Sequence, residues 1–430
     1  MPAPQSAGSP SPDPHATASP WSGRSHAELA ELARELLLAG HLIDRSGMPH
    51  LIGRLGRDGM RDVAIDEWMA ASPIYTKRMQ RLLGFEGDTV EVIFKGMQLD
   101  VGAPPEFMDF RYEITDDHHG AFHLDHCGAL MDVEPMGDDY VQAMCHDIED
   151  PTFDATATAT NPRAQVRPIH RPPRIPTDRT PHCAWAVTID PEADPLPFPS
   201  QAESLSTSNA AHVPVAVTPA DLPTDDGWSD YTASLDPDLV MERFSSATLA
   251  AVLDETALQG HLLSRAYLSQ VASRTDGPEA IEIGIKQATG IAGLTTKRLA
   301  AVLDAPADLA GLARVLEVHP MLLPRSYVAA SLDRQDDALV VHLAPCPATD
   351  EPDGLTWPAL LVGPGGEAIL HAAVVCLDPQ ARVERVDAHP GDLATWLVHH
   401  DPTAPPSAQP DEVTLTEFST GAGFSFHRRG

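Results

Sequence analysis

A histidine- and cysteine-rich stretch between positions 118 and 150 is the part of the sequence best suited to chemistry. It contains His118, His119, His123, His126, Cys127, Cys145 and His146. Imidazole and thiolate groups bind zinc and other borderline transition metals, whereas calcium and magnesium prefer oxygen ligands. This cluster therefore predicts a site for a metal or for thiol chemistry.

Strands are expected to hold the first part of the cluster. Aromatic and β-branched residues at 107–114 and 121–127 predict two strands joined by a tight turn. Alternate side chains of a strand share one face. His123, Asp125 and Cys127 should therefore point to the same side of the sheet.

A helix is expected to hold the second part. Residues 137–150 have apolar side chains at helical spacing, and Cys145 continues their buried stripe. Pro151 is predicted to end this helix. Further strands are predicted at 153–160, 164–169, 183–189 and 423–426.

The predicted metal ligands come from both elements and from a later strand: His123, Cys127, Cys145, His146 and Cys183. A catalytic zinc site needs about three protein ligands and one open position for water. The metal would lower the pKa of that water, and Glu149 or Asp147, with His126 nearby, would transfer its proton. The sequence thus favours metal-dependent hydrolysis over redox chemistry.

Other interpretations of the cluster stay open. Free cysteine often packs as a small hydrophobic residue, so Cys145 could simply belong to the core. A thiol mechanism without metal would need a nearby histidine to activate Cys145, because the late part of a helix does not lower a thiol pKa. The alternative function is a non-catalytic, metal- or thiol-dependent ligand-binding or sensor protein.

Five arginines crowd into seventeen residues of an otherwise acidic chain, at positions 163–179. Arg167, Arg171 and Arg174 are the candidate substrate-binding residues, because a guanidinium binds carboxylate or phosphate with two hydrogen bonds. They predict a small anionic substrate. The alternative is that these arginines pair with acidic side chains of the same chain.

The overall composition limits the class of partner. The chain has 62 acidic and 29 basic residues and a formal charge of −33, so neither nucleic acid nor an anionic membrane is an expected partner. The five cysteines are scattered and odd in number, which predicts reduced thiols and a cytoplasmic protein. Residues 1–24 are rich in proline, serine and alanine, which predicts a disordered tail.

The second half of the chain repeats the first. Residues 25–45 align without gaps with residues 245–265, an offset of 245 − 25 = 220. Further on, the offset is 217 where 161–169 aligns with 378–386. So long a period predicts a tandem domain duplication with pseudo-two-fold packing. The predicted units are a first domain at 25–190, a Pro/Ser-rich acidic linker at 191–236 and a second domain at 237–430.

The second copy is an internal control for the cluster. His126, Cys145, His146 and Glu149 align with Pro345, Val362, Gly363 and Gly366, whereas His123 and Cys127 align with His342 and Cys346. The sequence therefore predicts an α+β fold in which each domain has N-terminal helices and then an antiparallel sheet with an inserted helix. The first domain is the expected metal-dependent enzyme, and the second is its degenerate copy.

Overall fold

The ordered chain begins before the first helix. The computed structural model describes residues 19–223 and 225–427, so most of the predicted disordered tail lies outside the described residues. Its last part is ordered, since Trp21 is buried and its indole Nε1 donates a hydrogen bond to Asp254 at 3.0 Å. For residues 19–24 the prediction of disorder is wrong, because Trp21 anchors them to the second half.

Two similar sets of elements follow one another. The first-half helices are α1 (His26–Leu83), α2 (Val90–Met97), α3 (Gly128–Val133), α4 (Asp138–Gln142) and α5 (Glu149–Thr158). Two short helices follow, α6 (Ser200–Leu205) and α7 (Asn209–His212). The second-half helices are α8 (Ser246–Ala272), α9 (Gly277–Val302), α10 (Leu309–Leu316), α11 (Trp357–Val362), α12 (Glu367–Val375) and α13 (Asp411–Thr416). The strands are β1 (Met108–Asp116), β2 (His119–Cys127), β3 (Ala164–His170), β4 (Cys183–Ile189), β5 (Ala330–Arg334), β6 (Leu339–Leu343), β7 (Ala381–Val386) and β8 (Ala394–His400).

Helix α1 corresponds to the pair α8 and α9. Ser25 begins it with a capping box, in which Ser25 and Glu28 satisfy each other's backbone amides. The helical backbone breaks at Gly56, which has φ +72° and ψ 178°. An offset of 220 from Gly56 leads to Asp276, the residue that caps α9. Two successive helices therefore open each half, as the duplication predicts.

The two halves pack through these helices, α1 against α8 and α9. At one crossing point the hydroxyl end of Tyr267 lies where a Cβ atom of residue 47 would stand, so only glycine fits there. None of the helices in the described ranges is long and apolar enough to cross a membrane.

The sheets confirm the fold class. Both have four antiparallel strands, in the orders β1-β2-β4-β3 and β5-β6-β8-β7. In the first sheet His123 pairs with Arg111 on one side; in the second, His342 pairs with Ser331. Arg111 and Ser331 are themselves separated by 220. The fold is α+β, and the halves share strand order and register.

The predicted strand at 153–160 is wrong. These residues belong mostly to α5, which packs against α1 and continues a π-helical segment, Ala143–Ile148. The alternating threonines that suggested a strand bond back to their own helix, as Thr156 Oγ1 does to the Thr152 carbonyl at 3.0 Å. Pro151 does not end the helix: it lies just after the π-helical segment, and α5 continues to Thr158.

Two other segments differ from the sequence-based expectation. The linker at 191–236 is packed on the helices, where the Arg78 guanidinium donates to the Val213 carbonyl at 2.6 Å. Residues 423–426 form no strand, and β8 instead takes the position that β4 occupies in the first sheet. Cys183 therefore corresponds to Ala394, since each pairs with the equivalent leucine of the central strand.

Candidate functional site

Three of the predicted ligands are thiols buried in the first half. Burial, and then the nearby Glu149 carboxylate, raises the pKa of Cys127 to about 12. The pKa values of Cys145 and Cys183 are raised well above the usual range by burial, Glu149 and Cys127. The thiols and Glu149 thus share one interior region, and the thiols remain protonated at neutral pH.

These groups do not converge as ligands of one metal. Among residues 19–223 and 225–427, groups of three or more His, Cys, Asp or Glu ligand atoms within 4.8 Å of one another occur only in the second half. Cys127 Sγ accepts a hydrogen bond from the Leu130 amide at 3.3 Å and caps α3. His146 Nε2 lies 2.7 Å from the Pro172 carbonyl oxygen. Cys127 and His146 therefore have separate local partners.

A bulge in β2 separates the residues expected on one face. The pairing with β1 shifts register between Leu124 and Cys127, so both of these side chains turn into the core. His123 and Asp125 stay on the solvent side, with His123 Nε2 3.4 Å from Asp125 Oδ1. The prediction that His123, Asp125 and Cys127 share a face is wrong, because one extra residue reverses the alternation.

The predicted catalytic residues also lie apart. Asp147 is at the surface, where its Oδ2 is 3.5 Å from Arg61 Nη1. The His126 ring stacks on Phe424 with ring centroids 6.2 Å apart, and burial lowers its pKa. Of the three, only Glu149 lines the interior cavity of this half.

The predicted substrate-binding arginines all have acidic partners, as the alternative interpretation expected. Ion pairs hold each guanidinium on the first-half surface, which leaves none of the three as an open anion receptor. The pairs are Arg167–Asp154 at 2.8 Å, Arg171–Asp150 at 2.5 Å and Arg174–Glu134 at 2.6 Å.

A cavity of about 100 Å³ with several ionisable side chains in its wall lies in the first half, between α1, α5 and the segment before β1. We call it the acid cavity. Apolar side chains such as Met97 and Phe110 complete its wall. Its ionisable lining residues are His41, Asp44, Arg45, Tyr75, Asp100 and Glu149.

Two carboxyl groups of the acid cavity have strongly raised pKa values. Burial raises the pKa of Glu149 to about 8, and its Oε2 is buried with no hydrogen-bond partner in the protein. Burial also raises the pKa of Asp100 to about 6, although the Gly102 amide and the Tyr75 hydroxyl donate to it at 2.6 and 2.7 Å. At pH 7 Glu149 is therefore mostly protonated and Asp100 mostly ionised, which places an acid and a base in one cavity.

Arg45 is the cation of this region. Burial acts to lower its pKa, but the carboxylates of Asp44 and Asp132 outweigh that effect and raise it. Its guanidinium contacts Asp44 at 2.8 Å and Asp132 at 3.3 Å. Ser419, near the C-terminus, donates to Asp132 at 2.7 Å, so the second half helps to fix the guanidinium.

Several neighbouring polar groups are buried without hydrogen-bond partners. Burial raises the pKa of Glu67 well above its usual range, and its Oε1 is unpaired. Burial lowers the pKa of His41 to about 3, and neither ring nitrogen makes a hydrogen bond of normal geometry, although the Val101 backbone is close enough to raise that pKa slightly. The hydroxyl of Tyr267, from the second half, is also unpaired, and Glu67 and Asp44 contribute to its raised pKa. Buried polar groups normally have partners, so each of these unpaired groups calls for an explanation.

The corresponding interior of the second half has lost this chemistry. The offset of 220 pairs Asp44 with Ser264, Glu67 with Gln287, Trp68 with Ala288, Tyr75 with Thr295 and Asp100 with Pro320, and the offset of 217 pairs Glu149 with Gly366. His41 and Arg45 persist as His261 and Arg265, but both have partners. His261 Nε2 lies 2.8 Å from the Leu323 carbonyl oxygen, and Arg265 Nη2 lies 3.3 Å from Glu351 Oε2.

An apolar chamber of about 360 Å³ adjoins the acid cavity, and Arg45, Met144 and Ile148 line both spaces. Met144 and Ile148 belong to the π-helical segment, an irregularity that is frequent at functional sites. Flexible methionines supply much of its wall. The outer side chains of the chamber are Met136, Leu415 and Phe418, which are 42%, 45% and 42% exposed.

Sequence reasoning found Glu149 and missed most of the acid cavity. The missed residues lie on α1 or just beyond α2, far in sequence from the cysteine cluster. One signal was present: Asp44 and Glu67 occupy positions at which the second copy has neutral residues. Helical periodicity alone gives no sign that these carboxyl groups turn inward.

Comparisons with known proteins give no further indication of function. The chain matches no protein-family model, no curated protein and no solved structure.

Proposed function

We propose that the first half is a hydrolase acting on a small molecule with an apolar body. The single observation that carries the proposal is the asymmetry between two halves of one fold. Buried, unpaired carboxyl groups cost stability, and the second half keeps the same architecture without them. The fold does not need them, so we infer that they serve the chemistry of the first half.

In the proposed reaction, Asp100 and Glu149 divide the proton transfers. Asp100, ionised at pH 7, removes a proton from water as the water oxygen attacks the acyl carbon. Glu149, protonated at pH 7, gives its proton to the leaving oxygen as the bond between carbon and that oxygen breaks. The raised pKa values of both groups support this assignment. This proposal keeps Glu149 as a catalytic residue but changes its role, from moving the proton of a metal-bound water to protonating the leaving oxygen, and it does not route the reaction through the buried thiols.

The apolar chamber supports a second candidate, a non-catalytic ligand-binding protein. Its methionine-rich wall can adapt to different apolar ligands without any need for turnover. The two candidates differ in one observable property, which is product formation.

The test uses ethyl acetate, ethyl butyrate and ethyl octanoate as probes, with wild type and Glu149→Gln, because ethoxide is a poor leaving group that needs a proton from an acid; acid release is followed by pH-stat titration. We expect the wild type to hydrolyse at least one ester and Glu149→Gln to lose about 100-fold or more in kcat, the usual effect of removing a general acid. The control is Glu113→Gln, an exposed carboxylate of β1 in the same half.

Equal rates in wild type and Glu149→Gln would refute the acid–base proposal. Binding of the esters without acid release would favour the ligand-binding candidate. Ester length adds a further check, because an apolar chamber beside the reacting group should make octanoate a better substrate than acetate.

A further inference from the structure

A compact group of two histidines and one aspartate lies at the second sheet, far in sequence from the acid cavity. His342 is on β6, and His389 and Asp392 are in the loop between β7 and β8. One ligand atom of each lies within 4.8 Å of the others. His342 Nδ1 is 2.8 Å from Asp392 Oδ2, and the His342 and His389 ring centroids are 4.7 Å apart.

An outer group holds the aspartate in place. Thr395 Oγ1 donates to Asp392 Oδ2 at 3.0 Å, which orients the carboxylate. A second carboxylate is close to His342: Asp333 Oδ2 lies 3.4 Å from His342 Nε2, the ring nitrogen opposite Asp392, but makes no hydrogen bond to it. Metal-binding histidines commonly place a carboxylate on the nitrogen that does not bind the metal, because this fixes the ring and its tautomer.

Burial and access also suit a bound ion. His342 is only 7% exposed and the Asp392 side chain 13% exposed, whereas His389 is exposed and gives an entry path. The first half has no equivalent arrangement among its described residues. There His123, the counterpart of His342, lies on the solvent side, and its side chain is 43% exposed.

We propose that His342, His389 and Asp392 bind a divalent metal of the zinc class. Two imidazoles and one carboxylate are borderline ligands suited to zinc, and three protein ligands leave one position open to water. His342 would bind through Nδ1, with Nε2 directed at Asp333. The ion would join the β7–β8 loop to the centre of the second sheet. This site is independent of the acid cavity and of the predicted thiol site.

The test is titration of metal-free, untagged full-length protein with Zn²⁺ against a chromophoric chelator. We expect one equivalent to bind, and His389→Ala and Asp392→Asn each to weaken binding at least 100-fold. Asp333→Asn should weaken binding much less than either of these variants, because Asp333 lies near His342 Nε2 without a hydrogen bond to it. His123→Ala is the matched control in the first half and should bind as the wild type does.

Because His389 is exposed, His389→Ala keeps the test valid if changes at buried His342 disturb folding. Co²⁺ provides a separate readout: a His/Asp site should show no thiolate charge-transfer band, and Cys145→Ala should leave the Co²⁺ spectrum unchanged. The proposal is overturned if the wild type binds no Zn²⁺, if His389→Ala binds it normally, or if Cys145→Ala abolishes binding. Ester hydrolysis is not part of this test, so the two proposals fail separately.

Discussion

Replacing Glu149 by glutamine should change how the stability of the protein depends on pH. The folded-state pKa of Glu149 is about 8, against an ordinary value of 4.5. Below pH 4.5 the carboxyl is neutral in both the folded and the unfolded chain, and it adds no pH-dependent term. Between these two values the unfolded chain loses the proton while the folded protein keeps it, so folding stability falls as pH rises.

The magnitude follows from the size of the pKa shift. Each pH unit between the two pKa values costs about 1.4 kcal/mol of folding free energy. The penalty in the wild type is therefore ~3 kcal/mol at pH 7 and ~5 kcal/mol above pH 8. A glutamine at position 149 is neutral at every pH. Any fixed cost of burying its amide shifts the curve without altering its slope.

The assay is urea denaturation of wild type, Glu149→Gln and the surface control Glu113→Gln from pH 5 to pH 8. The stability of Glu149→Gln relative to wild type should increase by ~4 kcal/mol across this range, and that of Glu113→Gln should not. A constant difference between Glu149→Gln and wild type would mean that Glu149 ionises normally in the folded protein. The raised pKa, and with it the proposed acid, would then be refuted.

Two further predictions concern buried groups near the acid cavity. Three thiols should resist Ellman's reagent at pH 8 in the folded protein, because burial raises their pKa values: Cys127, Cys145 and Cys183. Rapid labelling of Cys145 would instead support the metal-free thiol mechanism. Tyr267→Phe should raise the free energy of unfolding by ~1 kcal/mol, because the lost hydroxyl is buried and unpaired. Tyr75→Phe should lower the free energy of unfolding by a similar amount, because the Tyr75 hydroxyl donates a hydrogen bond to Asp100. Destabilisation by Tyr267→Phe, measured by urea denaturation, would show that its hydroxyl has a partner.

The duplication and the fold class were predictable because they depend on patterns that repeat along the chain. The serine that caps the first helix recurs at the offset of 220, since Ser25 caps α1 and Ser245 caps α8. Antiparallel pairing of strands then followed from short connections and alternating apolar residues. The segment 153–160 failed because threonine favours strands only weakly, and packing of α5 against α1 overrode that preference.

The site was less predictable because it depends on the direction of individual side chains. One extra residue in β2 turned Cys127 away from His123, and strand alternation cannot show such a bulge. The arginines at 163–179 looked available because their acidic partners, such as Glu134, are distant in sequence. Glu149 was found because it lies beside Cys145, and Asp44 and Glu67 were missed because they lie within ordinary-looking helix.

Comparing the two halves distinguishes buried polar residues that stabilise the shared fold from those that only one half contains. Arg45 and its counterpart Arg265 are buried in both halves, and both form ion pairs. A role in stabilising the fold is enough to explain why this arginine is present in both copies. The same explanation does not apply to Glu67, because the second half has the neutral Gln287 at the equivalent position and keeps the same fold. For His342 the difference between the halves runs the other way. Its first-half counterpart, His123, has no neighbours equivalent to His389 and Asp392, which the proposed metal site needs. Each half thus contains a polar cluster that the other half lacks without losing the fold, and for this reason we propose different chemistry for the two halves.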